Sequence, residues 1–151
     1  MFTKRDSLVA LLAVCATLAI VTPGQTGKQV MGSTIFDWNT IEEKPTNIGS
    51  TRKFFQSPTA TLDELECHVT TLNAGETPHP PHKHPDEEVI IVKEGTVEAL
   101  VNGQMKQVGP GSIIFQAANQ MHSIRNVGKS RAVYHVLKWN SPGMLKERAK
   151  Q

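Results

Sequence analysis

The residues with the clearest capacity for chemistry lie in the segment 75–95, which reads GETPHPPHKHPDEEVIIVKEG. His82 and His84 are two positions apart, and in an extended chain residues i and i+2 face the same side. Glu88 begins an apolar run, where an unpaired carboxylate is costly and a cation is a natural partner. His122 opens a later strand and could supply a ligand from a distant part of the chain. The pattern therefore predicts a site for one metal cation.

Short strands must position these side chains. Asn102-Gly103 is the strongest hairpin signal in the chain, and further turns contain Gly, Pro or Asn. Many short strands with regularly spaced turns predict an all-β barrel or jelly roll, and no internal repeat indicates a second one. The predicted strands are Thr51–Ser57, Glu64–Leu72, Val89–Lys93, Thr96–Val101, Gln104–Val108, Ser112–Gln116, His122–Asn126 and Arg131–Trp139. Outside the N-terminal segment, the one helical candidate is Gly143–Lys150.

Alternation along the strands predicts which side chains face inward. In Glu64–Leu72, His68 falls on the polar face, so we expect it to be exposed to solvent. The run Val89–Lys93 is continuously apolar and is expected to be buried on both faces. His135 shares a face with apolar residues, which leaves two interpretations open. It either points into the barrel near the metal site or is a hydrogen-bonded core histidine.

The spacing of the ligand candidates resembles that of the cupin family. Residues 82–95 follow the first cupin motif, His-x-His-x3-Glu-x6-Gly, with one extra residue between Gly75 and the first His. Residues 111–126 resemble the second motif, and Ala117 and Asn119 replace its usual Pro and Gly. Since Asn tolerates the left-handed backbone region, we expect Asn119 to substitute for Gly there.

This resemblance implies a single cupin or jelly-roll β-barrel over residues 51–140. It also implies a divalent transition metal held by His82, His84, Glu88 and His122. Three imidazoles and one carboxylate with open positions suit Fe, Mn, Ni or Zn, and the sequence does not choose among them. Because the imidazoles must be neutral to bind, metal affinity should fall below about pH 6.

A metal in such a site can activate O₂ with a chelating substrate, act as a Lewis acid, or polarise a bound water. We expect an oxygenase-type oxidoreductase acting on a small metabolite. Resemblance to the quercetin dioxygenase-like cupins implies that Glu88 is both a ligand and a catalytic proton acceptor. Two alternatives stay open: a non-catalytic cupin that binds a small ligand through its metal, and a lyase or isomerase that uses the metal as a Lewis acid.

The segment 1–26 resembles an export signal. Lys4 and Arg5 precede the uncharged run LVALLAVCATLAIV of residues 8–21, and a polar stretch with Pro23 follows. Fourteen residues are too few to span a bilayer, which needs about 20. We therefore expect an exported protein, periplasmic or extracellular, that associates with the membrane only if this segment is not cleaved.

The remaining composition is that of one ordinary globular domain. The chain has 151 residues and a formal net charge of +2, which is too small to indicate nucleic acid as a partner. Cys67 is the single cysteine outside the export segment, so we expect no internal disulfide. We expect residues 27–50 to form a linker and an N-terminal arm, and 141–151 a C-terminal tail. Resemblance to small cupins implies a homodimer paired through that arm and a small-molecule substrate.

Overall fold

The computed structural model of the chain describes residues 29–142. The predicted export segment and the helical candidate Gly143–Lys150 lie outside these residues. The described elements in chain order are a 3₁₀ helix at Trp38–Thr40 and the strands β1 (Lys44–Thr46), β2 (Gly49–Ser57), β3 (Glu64–Leu72), β4 (Glu87–Glu94), β5 (Val97–Val101), β6 (Gln104–Val108), β7 (Ile113–Gln116), β8 (Ser123–Asn126) and β9 (Ala132–Asn140). Within 29–142, no helix is long and apolar enough to cross a membrane. The predicted all-β fold is confirmed, and each predicted strand is present.

The strands form two antiparallel sheets. One has six strands in the order β1-β2-β3-β9-β4-β7, and the other has three in the order β6-β5-β8. Apolar side chains from both sheets meet in one buried cluster, which makes the two sheets the opposite walls of a single jelly-roll barrel. The cluster consists of Leu72, Ile90, Val92, Val97, Ala99, Ile114, Ile124, Ala132, Tyr134 and Val136.

The Asn102-Gly103 turn joins β5 to β6 as predicted. Both residues have positive φ angles, 51° and 75°, as a type I′ hairpin turn requires. Asn119 also has a positive φ, 59°, so the prediction that it replaces a glycine in the turn before His122 is confirmed. The first turn sets the register of β5 against β6, and the second leads directly into His122.

The inward faces of two strands differ from the predictions. On β9 the residues inside the barrel are Tyr134, Val136 and Lys138, and His135 faces outward. On β4, Ile91 is 36% exposed, so the strand is not buried on both faces. The apolar pattern of β9 was misleading because the outer face of this central strand is covered as well.

The N-terminal arm supplies that cover. The Trp38 ring lies 6.1 Å from the His135 ring and 6.1 Å from the ring of Phe54, measured between centroids. The Lys93 ammonium lies 4.0 Å from the Trp38 ring, within cation–π range. His135 is thus half-buried against the arm, and burial lowers the pKa of its imidazole with help from the Lys93 charge.

Candidate metal centre

Backbone pairing brings together the two loops that carry the predicted histidine ligands. The His82 N–H donates to the His122 carbonyl at 3.0 Å, and the His122 N–H donates back to His82 at 2.9 Å. The Asn119 N–H adds a 2.8 Å bond to the His84 carbonyl. These three bonds join segments that are about forty residues apart in the chain and hold their side chains on one side.

The three imidazoles form a compact group. One nitrogen each from His82, His84 and His122 lies within 4.8 Å of the other two. The ring centroids are 4.5 Å apart for His82 and His122, 4.7 Å for His84 and His122, and 5.4 Å for His82 and His84. We call these residues the three-His group, and its spacing could hold one metal ion.

Hydrogen bonds to backbone carbonyls fix two of the rings. His122 Nδ1 lies 2.9 Å from the Gln120 carbonyl, and His84 Nδ1 lies 3.1 Å from the Asp86 carbonyl. Since a carbonyl only accepts, each Nδ1 carries a proton, and Nε2 is the nitrogen of each ring that is left for a metal. This is the arrangement by which metal-binding histidines are commonly oriented.

Two nitrogens of the group are buried and unpaired. His122 Nε2 and His82 Nδ1 have no hydrogen-bond partner among residues 29–142. Burial, followed by the charges of neighbouring histidines that include His79, lowers the pKa of His82. A buried nitrogen without a partner is costly, and a metal cation bound at the group would give His122 Nε2 a partner, since the Nδ1 of that ring already faces the Gln120 carbonyl. The donor set therefore fits a transition metal.

Glu88 adjoins the group at its edge. Its Oε2 lies 3.7 Å from His84 Nε2, and the side chain is only 14% exposed. Burial raises the pKa of Glu88, but the neighbouring His84, His122 and Lys138 outweigh that effect, so the net pKa lies below its usual value. The carboxylate is therefore ionised and carries negative charge beside the imidazoles, although it is not within 4.8 Å of all three nitrogens.

The three-His group opens into a cavity of about 250 Å³. This is smaller than the roughly 300–1,000 Å³ of sites for drug-sized ligands, so the cavity suits a small metabolite. Gln116, a buried residue whose Nε2 has no partner among the described residues, lies on the wall beside Glu88. Pro78, His79, Ser123 and the core residues Ile90, Ile124 and Tyr134 also line it. His79 is an exposed residue whose ring lies edge-on to His82, with centroids 3.9 Å apart.

A second set of polar side chains contributes His68 and Lys138 to the cavity wall and includes Glu66 behind them. The Lys138 ammonium is 3.2 Å from Glu66 Oε2, and His68 Nδ1 is 3.0 Å from Glu66 Oε1. His68 and Lys138 line the cavity, and their side chains are 24% and 23% exposed. We call these three residues the Glu66 cluster. The expectation that His68 is an exposed surface residue was therefore wrong.

The sequence contained a signal for this cluster. Glu66, His68 and Thr70 alternate as the polar face of β3, and a polar face on a central strand can line a cavity instead of solvent. The pairing of β3 with β9 places Glu66 opposite Lys138, which alternation within one strand does not reveal.

The comparisons with known proteins agree with this architecture. The family model described as "Cupin domain" matches residues 68–138. No curated protein sequence is detectably similar to the chain. An RmlC-like cupin from Shewanella frigidimarina superposes with a TM-score of 0.61 at 14% identity, covering 76% of this chain and 97% of its own. The polyketide cyclase RemF from Streptomyces resistomycificus gives 0.58 at 20% identity, covering 74% and 82%.

A third solved structure, a predicted oxalate decarboxylase from Thermotoga maritima, gives a TM-score of 0.56 at 16% identity. It covers 71% of this chain and 99% of its own. At these identities the likeness concerns the fold, and the activities of these proteins do not transfer with it. The family match and the shared barrel together show that the chain contains a cupin domain.

Proposed function

We propose that the cavity is a metal-dependent active site and that the protein is an oxygenase-type oxidoreductase acting on a small metabolite. In this proposal His82, His84, His122 and Glu88 hold one divalent transition metal. The observation that carries it is the three-His group, with two buried, unpaired nitrogens and two rings oriented by backbone carbonyls. Such a metal, when bound, supplies Lewis acidity and, if it is redox-active, the capacity to activate O₂.

The protein's own residues have separate tasks in this proposal. The backbone bonds between His82 and His122 fix the ligand geometry before any metal arrives, which lowers the cost of ordering the site. The Gln116 amide is available to donate to a substrate oxygen beside Glu88. Apolar residues such as Ile90 and Ile124 restrict water around the bound substrate.

Glu88 is the proposed proton acceptor. Its carboxylate is ionised, largely buried and 3.7 Å from His84, so it can ligate the metal and take a proton from a substrate hydroxyl. A carboxylate serves as a base only while it is ionised, and the lowered pKa keeps it so at neutral pH. Replacing Glu88 with Gln, whose amide cannot take up this proton, should therefore strongly reduce turnover.

The first test is metal analysis of protein purified without added metal, followed by O₂ uptake with a panel of phenols and small acids. The proposal predicts one metal per chain, and O₂ uptake that needs both metal and substrate. His84→Ala should abolish both. The matched control is His135→Ala, which removes a half-buried imidazole on the outer face of the same barrel and should retain both.

The outcomes separate the possible functions. Turnover that is equally fast without O₂ would identify a Lewis-acid lyase or isomerase. Saturable binding with no product would identify a non-catalytic binding protein. An absence of stoichiometric metal at neutral pH would contradict the central claim of the proposal, which is that the cavity holds a metal.

A further inference from the structure

We infer that the cavity binds a substrate with two polar ends and an apolar middle, whose far end is a hydroxyl held by His68 and Lys138. The near end is the group that reaches the three-His group. This inference rests on the proposed function, because the near end is taken to bind through the metal. It adds the substrate class and the residues that select it.

The sheet register separates the two ends. Lys138 on β9 pairs with Glu66 on β3 and with Glu88 on β4, so the two carboxylates lie on either side of one lysine. His68 lies one inward position further along β3, opposite Val136. Because neighbouring strands are about 4.8 Å apart, β3 and β4 are separated by about 10 Å along the sheet. The cavity therefore has polar groups at both of its sides.

The hydrogen bonds of the Glu66 cluster leave one acceptor unpaired. The His68 hydrogen bond first, and then the charge of Lys138, lower the pKa of Glu66 to about 2 despite its burial. An ionised carboxylate only accepts, so His68 Nδ1 carries the proton and donates to Glu66. In the neutral form of the ring, Nε2 then carries a lone pair, and this atom has no hydrogen-bond partner among residues 29–142. It is available to accept a hydrogen bond from a ligand in the cavity.

The charge of the cluster favours a hydroxyl over a carboxylate. The Lys138 ammonium and the Glu66 carboxylate offset each other at 3.2 Å, so the pair has no net charge to attract an anion. An ammonium has three N–H donors, of which the Glu66 contact uses one. A hydroxyl can donate to His68 Nε2 and accept from Lys138, and it satisfies both residues at once.

The wall between the two ends is apolar. Val136 pairs with His68 on one side and with Ile90 on the other, and all three line the cavity. Tyr134 and Ile124 contribute further apolar surface to the cavity wall. An aromatic ring or a short aliphatic chain would be buried here without leaving polar groups unpaired. The substrate class is thus a small, hydroxylated molecule with a chelating group at the opposite end.

Para-substituted benzohydroxamic acids test this inference directly. The hydroxamate chelates the metal, and the para position carries hydrogen, hydroxyl, methoxy or carboxylate toward the Glu66 cluster. The protein is loaded with Zn(II), which prevents O₂ chemistry, and each dissociation constant is measured by calorimetry. We expect the 4-hydroxy compound to bind about tenfold more tightly than the unsubstituted one, the size of effect that one or two hydrogen bonds produce. The 4-methoxy and 4-carboxy compounds should show no such gain.

Two variants assign the gain to the cluster. His68→Leu should reduce the 4-hydroxy preference to about onefold, and metal analysis of the variant should still give one Zn(II) per chain. His135→Leu is the matched control, because it makes the same substitution on the outer face of β9 and should keep the full preference. If His68→Leu does not fold, Glu66→Gln should still weaken the preference, since it removes the charge that orients His68.

The outcomes distinguish this inference from the proposed function. If the protein holds Zn(II) and binds all four compounds equally, the inference is overturned and the metal site stands. A preference for the 4-carboxy compound would overturn the assignment of a hydroxyl. If neither Zn(II) nor benzohydroxamic acid binds, the proposed function itself fails.

Discussion

Lys138 and Glu66 face each other across strands β9 and β3, and the Lys138 ammonium lies 3.2 Å from the Glu66 carboxylate. Lys138 is also the cross-strand partner of Glu88 on its other side. One inward-facing, largely buried row of the six-stranded sheet therefore reads carboxylate, ammonium, carboxylate and, at Gln116, amide. Such a row is costly to bury for stability alone, which favours a role in binding.

The Glu66 ion pair should make stability depend on acid pH. The pKa of Glu66 falls from 4.5 to about 2 on folding, so the folded state holds the ionised form more tightly than the unfolded chain does. Its contribution is fully present above pH 4.5 and is lost as pH falls toward 2. We expect about 1–2 kcal/mol, less than the full pKa shift implies, because solvent partly screens the pair.

Urea unfolding of wild type and Glu66→Gln across pH 2–7 measures this contribution. The difference in unfolding free energy between the two proteins should be largest near neutrality and should shrink to a small fraction of that value at pH 2. Glu42→Gln is the control, since its carboxylate lies on an exposed side chain 3.7 Å from Lys44. A wild-type advantage that persists unchanged at pH 2 would contradict the prediction.

Asn126 should be essential for stability. Its fully buried amide nitrogen lies 2.8 Å from the Ser130 carbonyl, 3.0 Å from that of Leu72 and 3.1 Å from that of Asn73. Its Oδ1 accepts from the Gly128 N–H at 2.9 Å. Asn126→Ala leaves these buried groups unpaired and should cost about 2–4 kcal/mol in unfolding free energy.

Asn126→Asp should cost more than Asn126→Ala. It places a carboxylate oxygen against three carbonyl oxygens, which repel it, whereas the alanine variant can admit a water. Chemical denaturation of both variants at neutral pH measures the order. A smaller loss in Asn126→Asp than in Asn126→Ala would contradict this prediction and would show that the side chain acts mainly by filling space.

Gly95 should not tolerate a side chain. Its φ is +82°, and an added Cβ would lie 2.7 Å from Ala132 Cα and from the Arg131 carbonyl oxygen. Gly103 has a similar φ of +75°, but no atom lies within 4 Å of a Cβ there. Gly103→Ala should therefore cost about 1 kcal/mol from backbone strain, and Gly95→Ala about 3 kcal/mol or more from strain and overlap. Similar melting temperatures for the two variants would contradict the prediction that Gly95→Ala is the more destabilising change.

The local parts of this fold could be predicted from the sequence. The hairpin at Asn102-Gly103 and the left-handed Asn119 each depend on one or two residues with few backbone alternatives. The placement of the His82 and His84 side chains on one side of the chain was predictable from the geometry of an extended segment, in which residues i and i+2 face the same way. The approach of His122 was predictable only through the resemblance to the cupin motifs, because it depends on a backbone bridge between distant loops.

The inward face of β9 could not be predicted in the same way. His135 shares a face with apolar residues because the arm covers that side through Trp38, whereas the cavity side carries the polar Lys138. An apolar pattern indicates that a face of a strand is buried, but it does not show whether that face lines the cavity or packs against the arm. The position of Lys138 opposite Glu66 depends on the pairing of β3 with β9. That pairing is determined by the whole sheet and cannot be derived from the residues of one strand.

The three-His group should couple metal binding to stability. A ligand that binds only the folded state at 100 times its dissociation constant adds about 2.7 kcal/mol, which raises the melting temperature of a domain this size by about 10 °C. We expect this rise when Zn(II) is added to metal-free protein. His122→Ala should abolish it, because it removes the buried Nε2 that faces the other two rings. His135→Ala should preserve the rise even if it lowers the starting temperature, since that ring packs on Trp38 outside the barrel. A rise of the same size in His122→Ala would place the metal elsewhere on the protein.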